Sequence, residues 1–135
     1  MKTILSYTII GFFMLVWNPC LALPQSDTAK TVKIETRQND SVQYEVIVFD
    51  PGFETFLISQ PQMDFYSESY YKTWNTFYVA EWNNRYITKA SSGLYENSID
   101  YDPQIKYGIE VEYRLYNYFR YFEKINHITL IARGH

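Results

Sequence analysis

Glu81 and Arg85 stand four residues apart in Tyr78-Val79-Ala80-Glu81-Trp82-Asn83-Asn84-Arg85. On a helix, side chains at i and i+4 share a face. Steps of 100° per residue put this pair in the middle of a face that also carries Tyr70, Tyr71, Trp74, Phe77, Tyr78 and Trp82. A charge turned toward apolar neighbours must be paired or solvated, because an uncompensated one costs several kcal/mol. Two readings follow. In the first, the ion pair is structural and fixes how two helices dock. In the second, Glu81 and Arg85 form the polar floor of an aromatic cleft that grips a ligand, with Trp74, Tyr78 and Trp82 as its walls. The structural reading comes first.

Other residues offer weaker chemistry. Glu96, Asp100 and Asp102 could supply oxygens to a cation, but their spacing matches no calcium loop and lacks its turn glycine. Asp102-Pro103 is more simply a turn or a helix cap. Asp100, Asp102, Glu110 or Glu81 could contribute to an acid–base pair of the glycosidase kind, which needs two carboxyls converging in one concave site. Glu110 with Glu112 is a further pair, although two nearby acids are common in any soluble domain. His127 and His135 are the histidines, and a single ordered imidazole near a C-terminus is more often a surface residue than a base. Neither a nucleophile elbow nor a phosphate loop is present, nor is histidine-rich metal spacing. No catalytic residue, metal or cofactor is assigned from these residues.

The N-terminus carries a different signal. Met1-Lys2-Thr3 starts it, Ile4 to Trp17 is uncharged and apolar, and Asn18-Pro19-Cys20-Leu21-Ala22 follows. A basic start, an apolar stretch of roughly 7–15 residues and small residues before a cut make a secretory signal peptide. Residues 1–22 are read so, with cleavage between Ala22 and Leu23. Cys20 supports a second reading, lipidation of the kind that anchors bacterial lipoproteins, although Pro19 is a poor residue to precede an acylated cysteine. It is also the one cysteine of the chain. After either cut the folded part has no disulfide, thiol nucleophile or thiolate ligand to use.

Residues 23–40 are polar and read as a flexible tether. Residues 41–135 read as a single small globular domain, near the lower end of self-sufficient size. Fourteen Tyr, nine Phe and three Trp make the chain 19% aromatic, and beyond the leader all of them fall between Tyr44 and Phe122. Each such ring buries about 150–250 Å², so aromatic packing can supply the core. A domain this small cannot easily hide them all, and a contiguous patch of partly exposed tyrosines is expected as a contact surface. The formal charge of −3 is spread among interspersed acids and bases. With no basic patch, nucleic acid is not an expected partner.

The elements that must position these residues are legible in outline. Gln43 to Phe49 is β-branched and aromatic and reads as a strand. Asp50 and Pro51 suit the cap and first position of a short helix over Phe53 to Ser59. Ser67 caps a long helix running to about Ile87, against a rival strand at Phe77 to Trp82 favoured by the triplet Phe77-Tyr78-Val79. A loop from Thr88 to Pro103 leads to a second long helix from about Tyr107 to Ile125, with Val111, Leu115, Tyr118, Phe122 and Ile125 as its stripe. Ile128 to Ala132 reads as a last strand, pairing with the first.

Two stretches carry a family resemblance: Tyr78 to Arg85, and Tyr101-Asp102-Pro103 running on through Tyr107-Gly108-Ile109-Glu110-Val111-Glu112-Tyr113-Arg114-Leu115-Tyr116-Asn117-Tyr118-Phe119. Together they resemble an uncharacterised family of small exported bacterial proteins, known as a domain of unknown function. The resemblance covers roughly Tyr44 to Glu123, and the tail from Ile128 to His135 extends past it. It implies a bacterial envelope setting and strengthens the lipoprotein reading of Cys20. It implies no activity and no site residues.

The sequence thus predicts an α+β fold, two long aromatic-rich helices packed with a short helix and one or two short strands. The expected function is that of an exported cell-envelope protein, periplasmic, secreted or lipid-anchored. It would act as a non-catalytic binding or structural module with a tyrosine-rich surface for an envelope protein or polymer. Membrane contact would come only through a lipid on Cys20. The alternative is a carboxylate-dependent hydrolase acting on envelope glycans or peptides.

Overall fold

The computed structural model describes residues 32–38, 42–91 and 93–133. Residues 1–22, read as a signal peptide, and Cys20 among them lie outside the described residues. Five elements follow in order: β1 (Val32–Gln38), β2 (Val42–Val48), α1 (Pro51–Ile58), α2 (Glu68–Ile87) and α3 (Ile109–Asn126). The expected α+β class holds, as do the three helices and the strand at 43–49.

The helix starts follow local chemistry. Asp50 Oδ1 accepts from the Gly52 amide at 2.8 Å, with Pro51 at the first helical position. Ser67 Oγ accepts from the Tyr70 amide at 3.2 Å. The long run after Ser67 is one helix, so the rival strand is not formed. Asp102 makes a turn instead of a cap, its Oδ1 accepting from Gln104 N at 2.8 Å. α3 begins seven residues later behind Gly108, whose φ of 91° is a conformation open to glycine and strained for other residues.

Two expectations at the chain ends are corrected. Part of the stretch read as tether is β1, which pairs antiparallel with β2 in the register Val32↔Val48, Ile34↔Val46 and Thr36↔Tyr44. Val32 and Val46 are buried, and Ile34, Tyr44 and Val48 pack against the core, so one face of the ribbon lies on it. A two-stranded ribbon is marginal by itself, and α3 supplies the surface it needs. Ile128 to Ala132 forms no strand. β2 has β1 as its partner, and the tail runs as irregular chain held by side chains.

α2 and α3 form the core between them. Tyr78 stacks on Phe119 at 4.9 Å and 13°. Trp82 meets Phe122 edge-on at 4.7 Å, and Tyr71 contacts Tyr113 and Tyr116 at 5.6 and 5.3 Å. Such pairs contribute about 0.5–1.5 kcal/mol each beyond the area they bury. The α3 stripe is buried at Val111, Leu115, Tyr118 and Phe122, but Ile125 is largely exposed. The inward line of α2 is Tyr71, Asn75, Tyr78, Val79 and Trp82. Phe77, placed on that face by the sequence, is 54% exposed, because Asn75 turns inward to meet a carboxylate on α3.

Trp82 carries both an apolar load and a polar one: it is fully buried, and its Nε1 donates to Asn97 O at 2.7 Å. Trp82→Phe leaves a gap and an unsatisfied loop carbonyl, and is expected to cost about 2–4 kcal/mol in urea denaturation. Phe77→Ser, at an exposed position, is expected to stay within about 0.5 kcal/mol of wild type.

Candidate functional site

The aromatic face of α2 opens beside the turn that follows α1. Tyr66, Tyr71, Tyr113 and Tyr116 wall a cleft of about 210 Å³, with Gln60 and Pro61 on its rim and Asn117, Arg120 and Arg133 also lining it. Tyr113 Oη donates to Pro61 O at 2.8 Å and ties the rim to α3. Burial raises the pKa of Tyr71, Tyr113 and Tyr116 above the ordinary phenol value, so all three are neutral hydroxyls at pH 7. Tyr71 is 1% exposed, and its Oη is buried with no hydrogen-bond partner, although the adjacent Tyr66 backbone works against part of the upward shift.

Rings continue outward from this cleft. Phe65 meets Tyr66 at 4.7 Å, Tyr66 stacks on Tyr70 at 4.1 Å, Tyr70 meets Trp74 at 6.4 Å and Trp74 meets Phe77 at 6.3 Å. Tyr70 also touches Tyr116 at 6.0 Å, which joins this ladder to the cleft wall. The expected patch of tyrosines is therefore corrected. Tyr66 and Tyr86 are the exposed tyrosines among the described residues, and they lie at opposite ends of α2, about 30 Å apart at 1.5 Å per residue. What is contiguous is a mixed ladder of Phe, Tyr and Trp along one side of that helix.

Arg133 closes one side of the cleft. Its guanidinium lies 4.4 Å from the Trp74 ring, 5.1 Å from Tyr116 and 5.6 Å from Tyr78. It donates to the hydroxyls of Tyr116 and Tyr78, each at 2.8 Å. Burial opposes its charge, and these two hydroxyls more than offset that, leaving its pKa raised. Nε is buried without a partner. Arg133 escaped the sequence reading because nothing local marks it; its partners are 17 to 59 positions away in the chain.

Glu81 and Arg85 form their ion pair at 2.6 Å, part-exposed at the edge of the aromatic face. The remaining Arg85 donors go to Tyr95 Oη at 3.0 Å and to the carbonyls of Thr129 and Leu130 at 3.1 and 3.3 Å. The pair thus holds the tail, where the sequence had it docking two helices. Glu123 on α3 takes the other side of that tail, its Oε1 accepting from Leu130 N at 2.9 Å. Arg85 and Tyr95 also line a hollow of about 350 Å³ with Tyr86 and Ile87. Of the expected aromatic walls, Trp82 and Tyr78 are core, the Tyr78 hydroxyl meeting Arg133 and Glu123, while Trp74 lies under Arg133. The pair and the cleft are connected nonetheless, since the tail that Arg85 fixes delivers Arg133.

The carboxylates fall apart as a set. Asp100, Asp102 and Glu110 are exposed, and no described cavity holds two of Glu81, Asp100, Asp102 and Glu110. Glu110 shares a shallow cleft with Glu45 and Arg114. Among the described residues, no three His, Cys, Asp or Glu side chains group as metal ligands. The carboxylate that stands out is Glu112, fully buried on α3. Its Oε2 accepts from Asn75 Nδ2 at 2.8 Å, and Tyr101 Oη lies 3.1 and 3.2 Å from its two oxygens. Burial raises its pKa; the hydrogen bonds from Asn75 and Tyr101 and the field of Lys72 pull the other way. In the sequence Glu112 was only one member of an acid pair, because a helix position facing Asn75 cannot be recognised without the partner helix.

A family model described as "Family of unknown function (DUF6146)" matches residues 7–131, and the chain belongs to that family. The match is wider than the Tyr44–Glu123 resemblance: it begins within the apolar N-terminal run and takes in β1 and the first half of the tail, which was expected to lie past the family's end. No curated protein and no solved structure matches.

Glu112 makes stability depend on pH. A carboxyl whose folded pKa is raised binds its proton more tightly in the native state, so stability is greatest below the unfolded value of about 4.3 and falls as pH rises to the folded one. Glu112→Gln is expected to remove this fall. In thermal unfolding at pH 4 it should match wild type, and at pH 7 it should melt higher.

Proposed function

We propose that this member of an uncharacterised family is exported to the cell envelope and acts there as a non-catalytic module that binds an extended polymer. The observation that carries the reading is the continuity of the Tyr66–Tyr116 cleft with the Phe65–Phe77 ladder. Rings in unbroken contact along about three turns of helix offer a track, and the cleft beside it offers fixed polar groups. Binding sites combine apolar walls with a few placed polar groups in this way. Most of these rings sit on two packed helices, Tyr70, Tyr71, Trp74 and Phe77 on α2 and Tyr113 and Tyr116 on α3, so they are held by rigid elements.

Export is supported by the leader, with its Lys2 start, apolar run and Ala22 before the cut. In this reading the module is released after Ala22, and Cys20 leaves with the leader. The hydrolase alternative has less behind it. Glu81 is ion-paired, Glu112 has its oxygens engaged within the core, and Asp100, Asp102 and Glu110 stand exposed and separate.

Two measurements test the proposal. Intact mass of the protein recovered from its native cell should correspond to a start at Leu23 without lipid; an acylated Cys20 would replace free release with anchoring, and an intact leader would remove export. In co-sedimentation with isolated envelope polysaccharide, Tyr66→Ala should weaken binding about tenfold, the loss of one ring worth about 1–1.5 kcal/mol. Its melting temperature should stay close to wild type, since Tyr66 is partly exposed. Equal binding by the two proteins would remove the cleft from the function.

A further inference from the structure

The cleft contains more than rings, and its charged groups are both cations. Arg120 and Arg133 line it, and the neutral Tyr71 hydroxyl is buried beside them with no partner. Arg133 has spent two nitrogens on tyrosine hydroxyls and keeps its Nε–H unsatisfied. The Arg133 Nε–H and the Tyr71 hydroxyl are donors lacking an acceptor. A buried donor left unpaired is costly, and the cost is recovered when an anionic oxygen arrives.

A second hollow of about 360 Å³ adjoins the first and shares Arg120 and Arg133 with it, adding Lys124. Glu123 also faces this hollow, but its charge is taken up by Leu130 N, Ile131 N, the Tyr78 hydroxyl and Arg120. In a chain of net charge −3, three cations surround one carboxylate, which is ion-paired with Arg120, and the excess over that pair makes a local positive field. Such a field favours a negatively charged partner.

We infer that the ligand is an acidic polysaccharide, a chain of uronic-acid sugars. Ring faces and edges of the ladder and cleft walls would contact the sugars, while Arg120 and Arg133 with the Tyr71 hydroxyl take a carboxylate. This deepens the reading of the same cleft as a polymer-binding site and rests on it. Carboxylates prefer guanidinium donors, and hydrogen bonds to a charged group are the stronger ones. A glycan is favoured over an acidic peptide because both long walls are helices. Their backbone groups are already paired within the helix, so the cleft offers no main-chain edge to a peptide. It offers hydroxyls, amides and rings instead. Tyr66, partly exposed and edge-on to Tyr71 at 5.9 Å, is the ring that borders the approach to that hydroxyl.

The test is calorimetric titration of the mature protein with tetragalacturonate, its methyl ester and a tetraglutamate peptide. The acid should bind at least tenfold tighter than the ester and than the peptide. Arg120→Gln should lose tenfold to a hundredfold, the range corresponding to one charge-assisted hydrogen bond of about 1.5–3 kcal/mol. Tyr71→Phe should weaken binding severalfold while leaving the melting temperature unchanged or higher, because it deletes an unpartnered hydroxyl. Acid and ester binding alike would overturn carboxylate recognition and leave the polymer-binding module standing. Tetraglutamate binding as well as the acid would overturn the glycan assignment, as would no binding of either sugar to a folded protein. Binding of the acid that Arg120→Gln does not change would overturn this site.

Discussion

A core built from tyrosine and tryptophan brings polar atoms inside with every ring, and each of those atoms needs a partner. That constraint organises the rest of this molecule. Trp82 Nε1 reaches the Asn97 carbonyl and pins the loop between the long helices. Tyr113 reaches the Pro61 carbonyl and pins the turn after α1. Tyr101 reaches Glu112, while Tyr95 receives Arg85 and Tyr107 receives the Asp102 amide. Irregular segments that a small domain would struggle to order are thus fastened to α2 and α3 by the tips of their own core residues. An aliphatic core of equal area would bury as much apolar surface and hold none of them.

The same constraint explains the C-terminal tail. It has no strand to join, because β1 already occupies β2. Its carbonyls go to Arg85 and its amides to Glu123. Arg133 then seats itself among Trp74, Tyr78 and Tyr116, where two hydroxyls need donors and three ring faces attract a cation. A guanidinium suits this place better than an ammonium would, since it is planar, weakly hydrated and can feed two acceptors at once.

What the sequence disclosed and what it withheld divide along the range of the interaction. Asp50 and Ser67 cap helices through atoms two or three residues away, so their roles were legible. The stripe on α3 has a period that survives in the chain. β1 was overlooked because its composition is polar, yet Val32, Ile34 and Thr36 alternate with Lys33, Glu35 and Arg37 in the two-residue period of a half-buried strand. Glu112 with Asn75, and Arg133 with Trp74, could not be found from any such period, since each pairing joins helices or tail across more than thirty residues. Glu81 and Arg85 were recognised as a pair from spacing alone, but the object they grip, the tail, lies forty-odd residues on.

This division also bears on why the cleft and not the ion pair is the better binding surface. The donors of Arg85 are distributed over four acceptors, so a ligand there would have to compete with bonds the fold already makes. Arg133 and Tyr71 differ: Nε of one and Oη of the other are unsatisfied donors, whereas Asn75 Oδ1 and Asn97 Oδ1, buried elsewhere without a partner, are acceptors. Buried donors of that sort persist only where something offsets their cost. In the core proper, at Trp82 or Glu112, the chain supplies its own acceptors or donors. At the cleft it does not, and the two unsatisfied groups belong to residues that line the same concave surface. Beside the exposed aromatic track the fold leaves two donors without a partner, and there an external acceptor can supply it.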